Sequence, residues 1–532
     1  MSSPVRGASG RGQGEKKPEL RIYRATRRAC DCCRVRKIRC DSLQPCNNCR
    51  KSWQPCLYLH VSKKSGPRSK STRSAVQPAK PQEKDAPLPS IQEWSPTREH
   101  PPITMSIPSE ELLVPTVLLP FLELFFRHLF PIMPVLDREF YLSSLCHQET
   151  ISSDQYCLLT AVSAVTIVQL NLLPECVEGS VPGLTAAHLV EQCLQERRRY
   201  DYIDGPTTST ILTSFFLFGY YGNLEKHNKA RHHLHEAISF AEVVGLDDEN
   251  YLSQLALGEG QWCRRVFWLL FITERAYALQ RQNHVRLRNT AVKLPSIFQS
   301  EDPRLLYGFV DLANLFLSID ETFVAVWNGR GRKTNCSKTW LIEIQHKLSA
   351  SAVSVEENIE TQELDISISR RWLQVLGWQI SCKQGLLTLN SQEEPFDLRY
   401  PIELARDVVQ SISTASQSSL DSHGIGMEQK LADVANCLSD VLKCAKGDVS
   451  DPFHRGREYL FALLYQLSCM RGVPSRYLQP LLEKTDTLRT ESPHCWPSTI
   501  AWDLAALNSH IRNEQDDQHV DMPHEYFADC VS

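Results

Sequence analysis

The strongest constraint in this chain is a spacing. Cys30-x2-Cys33-x6-Cys40 is followed by five residues and then by Cys46-x2-Cys49-x6-Cys56, so one three-cysteine pattern occurs twice in succession. Seven of the 19 cysteines fall between Cys30 and Cys56, with Cys32 left outside the repeat. A secreted disulfide scaffold would be short and preceded by a signal peptide. The N-terminus, MSSPVRGASGRGQGEKK, has no apolar core of that kind. The longest apolar runs, such as Val266 to Ile272, fall far short of the ~20 residues needed to span a bilayer. The expectation is an intracellular, soluble protein with reduced thiols, in which a tight cysteine cluster holds metal.

Thiolates are soft ligands that suit zinc, and a structural zinc takes four of them in a tetrahedron. Six thiolates cannot fill two separate tetrahedra, but they can if two sulfurs bridge both metals. The arithmetic points to a Zn2Cys6 cluster holding two Zn2+ on Cys30, Cys33, Cys40, Cys46, Cys49 and Cys56, with Cys32 a bystander.

Charge is distributed as unevenly as sulfur. Residues 1–73 carry 19 Lys+Arg against 4 Asp+Glu, whereas the whole chain has a net charge of −4. A basic arm on an acidic body suggests a polyanionic partner for the arm. The residues from Ala29 to Cys56, AC-DCC-RVRKIRC-DSLQPC-NNC-RKSWQPC, closely resemble the cluster of the fungal zinc-cluster transcription factors. The resemblance implies that Cys30 and Cys46, the first cysteine of each half, are the bridging pair, and that Pro45 turns the loop between the halves. A short helix after the first two ligands would carry Arg34, Arg36, Lys37 and Arg39. Such a helix can enter the major groove and read guanine O6 and N7 while its neighbours neutralise phosphates. The family pattern makes Lys37 the main base contact and CGG the preferred triplet. Arg36 is then the assistant, Arg34 and Arg39 lie on phosphate, and Arg50 and Lys51 contact the backbone. Charges that merely keep a small metal module soluble would be of mixed sign; this run is one-sided.

Around the cluster the sequence predicts a basic arm over 1–28, the zinc module over 29–60 and a linker over 61–108. Arg21, Arg24, Arg27 and Arg28 precede the cluster, and Lys63, Lys64, Arg68, Lys70 and Arg73 follow it. Either run can add phosphate contacts or serve nuclear import. Residues 74–108 contain eight prolines, which predicts an extended or disordered linker. No heptad pattern is sustained there, so a zipper is not expected. That leaves a monomer or a homodimer made by the body.

From 109 to 512 apolar residues recur at helical spacing, which predicts a large all-α domain. Residues 118–141 read as an amphipathic helix, a proline break and a short connection, and further helices are expected over 153–171, 184–200, 207–222, 227–244, 261–280, 305–327, 338–358, 366–391, 400–416, 427–445, 453–470 and 474–485. The stretches FRHLFPIMPVLDREF, ARHHLHEAISFAEVVGLDD, WCRRVFWLLFITERAYALQR and VKLP resemble the fungal-specific regulatory domain of the same family. RRVFWLLFITERAYALQ and GMEQKLADVANCLSDVL are most similar to the branch of maltose and starch utilisation regulators. The chain departs from many members after the RRVFW helix, where Arg281-Gln-Asn-His284 replaces a Gly-Arg-Pro turn.

The aromatic stripe Trp262, Phe267, Trp268, Phe271 and Tyr277 reads as core or as the wall of a ligand pocket, with core favoured. Arg264, Arg265, Glu274 and Arg275 read as helix-surface or buried ion-pair residues. His232, His233 and His235 have no carboxylate or cysteine partner at ligand-like spacing and read as surface or packing residues. Residues 513–532 hold six acidic residues and no Lys or Arg, the composition of an activation segment or of a frayed terminus. No Gly-rich phosphate loop or nucleophile elbow is present, so no enzyme is expected. The reading is a nuclear RNA polymerase II transcription factor, an activator, that binds CGG-type double-stranded DNA and engages the transcription machinery, with no membrane partner. Its targets are a secondary-metabolite gene cluster or carbohydrate catabolism. The alternative is an intracellular zinc-binding or sensing protein whose DNA binding is incidental.

Overall fold

Local capping chemistry in the sequence sets where most helices of this chain begin. The computed structural model describes residues 33, 38, 40, 41 and 46–51 near the N-terminus. In the body it describes 113–146, 151–288, 291–298, 302–330, 337–350, 359–388, 391–444 and 451–491. The chain divides into two compact units, Met1–Thr104 and Met105–Ser532. The predicted arm, linker and acidic tail lie outside the described residues, as does Cys32.

In the first unit, α1 (Asn47–Lys51) carries Cys49 on its buried side. Its first residue donates a backbone N–H to Asp41 Oδ2 at 3.1 Å, so a carboxylate satisfies a donor that the helix itself cannot.

The second unit is all-α. Among the described residues the only extended pairing is an isolated bridge between Thr388 and Asp397. Its first segment is helical from Pro115 to Leu129 in three short turns, the middle one being α2 (Leu119–Leu124), and α3 (Arg138–Cys146) follows the proline break. Next come α4 (Ser153–Gln169), α5 (Ala186–Arg197), α6 (Thr208–Asn223), α7 (His227–Val244) and the short α8 (Glu249–Leu252). Ser152 and Thr207 start α4 and α6 with reciprocal capping boxes through Gln155 and Thr210. Gly245 ends α7 at φ +87, a left-handed position that costs glycine nothing. Helix α4 packs against both α5 and α6, and α6 packs against α7.

The longest helix, α9 (Leu257–Arg281), contacts α6 and α7 on one side. On its other side it contacts α10 (Pro303–Leu317) and α11 (Glu321–Trp327). The later half adds α12 (Lys338–Ala350), α13 (Glu360–Lys383), α14 (Tyr400–Thr414), α15 (Gln417–Asp421), α16 (Gly424–Cys444), α17 (Asp451–Cys469) and α18 (Leu478–Glu491). Of these, α13, α14, α16 and α17 form the second packed group. No described helix is long and apolar enough to cross a membrane.

Two expectations change here. The helix expected over 305–327 is broken at 318–320, because Asp320 turns its Oδ1 onto the N–H of Phe323 at 2.7 Å and starts a new helix. The helix expected over 338–358 is described only as far as Ala350.

Candidate metal centre and a cavity in the helical body

Four of the six predicted ligands fall within the described residues. Cys33, Cys46 and Cys49 are fully buried, and their sulfurs lie within 4.8 Å of one another. Cys33 Sγ is 3.5 Å from Cys46 Sγ, much longer than the roughly 2.05 Å of a disulfide. Zinc–sulfur bonds of about 2.3 Å imply a sulfur–sulfur edge of about 3.8 Å in a tetrahedron, so this spacing fits two ligands of one zinc ion. The N–H of Cys49 points at Cys46 Sγ from 3.4 Å, a contact that favours the thiolate. Cys40 and Asp41 form a second group with Cys46. Cys46 is therefore the sulfur the two groups share. Asp41 is exposed and accepts from Asn47 N–H, which gives its carboxylate a capping role. Cys30 and Cys56 lie outside the described residues.

Of the predicted DNA contacts, Arg34, Arg36, Lys37 and Arg39 also lie outside the described residues. Arg50 and Lys51 both belong to α1, and Lys51 is exposed. The N–H of Ile38 donates to Cys33 O at 3.0 Å.

In the body, the buried alternative holds for the charged residues of α9. None of the four lies on the surface: Arg264, Arg265, Glu274 and Arg275 are all buried. Arg264 forms a two-pronged pair with Glu249, at 2.6 Å and 3.2 Å. Glu274 accepts from the backbone N–H groups of Arg286 and Leu287 at 2.7 Å and 2.9 Å. Arg275 donates to the carbonyls of Ile319 and Leu287 at 2.9 Å and 3.0 Å, with its guanidinium over the Phe271 ring. Burial pushes Arg275 down to about 10, against the charge of Glu274. Together with Trp268 Nε1–H on Lys293 O at 3.0 Å, these groups hold the segment after α9 along the helix. Phe267, Trp268 and Phe271 are core, as the stripe predicts, whereas Tyr277 lines a cavity.

The histidine cluster needs correction. His233 has a carboxylate partner three residues on, Glu236, with Nδ1 3.2 Å from Oε2. Glu236 also accepts from Arg197 at 3.1 Å and from the Ser214 hydroxyl at 2.7 Å. Burial would raise this carboxyl, but His233, Arg197 and Ser214 outweigh it and hold it at about 2. The group is a buried ion-pair network that ties α5, α6 and α7 together, with Tyr221 stacked on His233.

The cavity at Tyr277 lies between α6, α9, α10, α13 and α16, is partly open to solvent and has a volume of about 220 Å3. Its wall is largely Phe215, Phe218, Leu269, Ile272, Tyr277 and Leu312. At one end sit Asp365, Lys430 and His423. Lys430 Nζ donates to Asp365 Oδ1 at 2.7 Å and reaches Ser369 Oγ at 2.6 Å, while Ser369 donates to the same carboxylate oxygen at 2.9 Å. Burial opposes ionisation of Asp365, but the charge of Lys430 and the hydrogen bonds from Lys430 and Ser369 bring it to about 2. Sequence reasoning missed this cluster. Asp365 and Lys430 stand 65 residues apart on different helices, and each looks like an ordinary surface charge in its local pattern.

Comparison with known proteins agrees with both units. Residues 122–392 match the model of the fungal specific transcription factor domain, and residues 28–65 match the fungal Zn(2)-Cys(6) binuclear cluster domain. The chain is 26% identical to the maltose fermentation regulatory protein MAL13 of Saccharomyces cerevisiae, over 78% of this chain and 84% of that protein. It is 26% identical to the probable sucrose utilization protein SUC1 of Candida albicans over 83% of each. The fumonisin cluster-specific transcription factor FUM21 of Gibberella moniliformis is 46% identical over 43 residues, 8% of this chain. No solved structure matches.

Proposed function

The chain belongs to the fungal Zn2Cys6 transcription factors, and from that premise we propose that it is a nuclear regulator of RNA polymerase II genes, an activator that binds CGG-containing DNA. Two zinc ions sit on Cys30, Cys33, Cys40, Cys46, Cys49 and Cys56, with Cys30 and Cys46 shared between them. The observation that carries this reading is the position of Cys46, whose sulfur belongs to both groups of candidate ligands. When bound, the metals fix the path of the short basic segment between Cys33 and Cys40. Lys37 then meets guanine edges, Arg36 supports it, and Arg34, Arg39, Arg50 and Lys51 take phosphates.

Two gene sets fit. Carbohydrate utilisation is favoured by relatives that span most of the chain and are named for maltose and sucrose. A biosynthetic gene cluster is favoured by the likeness of the zinc module to a cluster-specific factor and by the apolar wall of the cavity. Transcript profiling of a deletion strain separates them.

Selection of preferred duplexes from a random library by the full chain tests the DNA-binding claim. CGG triplets should be enriched by the wild type, and Lys37→Ala should lose that enrichment while keeping weak, salt-sensitive binding. Absence of CGG enrichment by the wild type contradicts the claim.

A further inference from the structure

We propose that the cavity of the helical body is a binding site for a small, uncharged, mainly apolar molecule that carries a hydroxyl group, which the Asp365 carboxylate receives. The volume sets the size class. An apolar cavity of about 150 Å3 is enough for benzene, so about 220 Å3 has room for a larger ligand such as a fused pair of rings. Two glycines keep the wall open: a Cβ added at Gly222 or Gly426 would meet nothing within 4 Å.

The polar end decides which functional group the ligand presents. Asp365 Oδ1 is engaged by Lys430 and Ser369, whereas Oδ2 faces His423 Nδ1 at 3.9 Å. His423 Nε2 lies 3.0 Å from Thr361 O. A carbonyl only accepts, so Nε2 carries the proton and Nδ1 presents a lone pair. Burial, with the charge of Lys430, holds His423 below its ordinary value, against the pull of Asp365. Two acceptors therefore lie side by side at the end of the cavity, and a ligand O–H that approaches from the cavity donates to one of them. A cationic donor is disfavoured because Lys430 already neutralises Asp365 and Arg281 also borders the cavity.

A sugar is disfavoured by the same accounting. Each hydroxyl brought out of water needs a partner, and three of the four amides around the cavity already donate to backbone, while Gln429 accepts from the Tyr477 hydroxyl. Gln169 donates to Ser422 O, Asn223 to Gly219 O and Gln280 to Gly426 O. The rest of the wall is mainly aromatic and aliphatic. The ligand would touch α6 and α9 as well as α13 and α16, so its binding couples the two packed halves of the body. Binding itself stands on the cavity alone; its use as an inducer signal rests on the regulatory function proposed above.

The test is calorimetric titration of the full chain with 2-naphthol, naphthalene and maltose. The expected result is one 2-naphthol per chain, bound about tenfold more tightly than naphthalene because of one hydrogen bond to a charged acceptor. Gly222→Leu and, independently, Ala276→Leu should each weaken 2-naphthol binding by at least about tenfold by filling the space. Helical circular dichroism identifies a variant that has not folded, and the other variant then decides. The proposal is overturned if 2-naphthol does not bind, if it binds no better than naphthalene, if the folded filling variants bind it undiminished, or if maltose binds and they abolish that. A failure of DNA binding appears in the site selection and not in this titration, so the two claims can fail separately.

Discussion

Cys33 Sγ and Cys46 Sγ stand 3.5 Å apart in a fully buried setting, although thirteen residues separate them in sequence. Two thiolates at that distance repel each other strongly unless a cation lies between them. In the proposed cluster zinc supplies the cation, and Cys46, which belongs to both groups of candidate ligands, would be the sulfur the two ions share.

Replacing Cys46 should therefore cost more than one metal. Cys46→Ala is expected to reduce zinc from two ions per chain to fewer than one, measured by plasma mass spectrometry, and to abolish DNA binding. Retention of both ions would show that Cys46 is not a bridge.

The Asp365–Lys430 pair is buried, and the lysine ammonium places hydrogen bonds on both Asp365 and Ser369. Lys430→Met leaves a carboxylate without its cation and should destabilise the body by about 3–5 kcal/mol in urea unfolding. The double variant Asp365→Leu/Lys430→Met should recover much of that loss, because the uncompensated charge is gone. A double variant as unstable as the single one contradicts the pairing.

Asp433 titrates in the opposite sense. Burial raises its carboxyl to about 6, against the Trp372 Nε1–H donor at 2.9 Å and the charge of Arg281. A carboxyl raised above its unfolded value of 3.8 contributes stability that is complete below that value and is lost as pH rises through about 6. Asp433→Asn removes this dependence and leaves an acceptor for Trp372. Between pH 4.5 and pH 7 the variant should gain about 2 kcal/mol relative to the wild type in urea unfolding. A stability difference that does not change with pH contradicts the assignment.

The zinc module was legible because its chemistry is local: ligand spacing, loop proline and basic run all lie within one short stretch. The all-α body was legible from periodicity, whereas the caps at Ser152, Thr207 and Asp302 that start α4, α6 and α10 were not read from the sequence. What stayed hidden depended on tertiary context. In α9, buried nearly all round, local pattern does not reveal that Glu274 and Arg275 bond to backbone of the following segment. The break at Asp320 lies inside an apolar run whose period continues through it. His233 and Glu236 are close in sequence, yet their role depends on Arg197 arriving from α5. The cavity is assembled from helices on both sides of α9, and no single segment carries its signal.

The most direct test of the whole account is fluorescence anisotropy of a labelled CGG duplex titrated with the zinc-loaded full chain, with a scrambled duplex as control. The account predicts at least about a hundredfold preference for CGG at moderate salt, affinity that falls steeply as salt rises, and loss of binding on chelation that returns with added zinc. Equal affinity for both duplexes, or binding that survives removal of zinc, would contradict it and leave a zinc-binding protein whose contact with DNA is incidental.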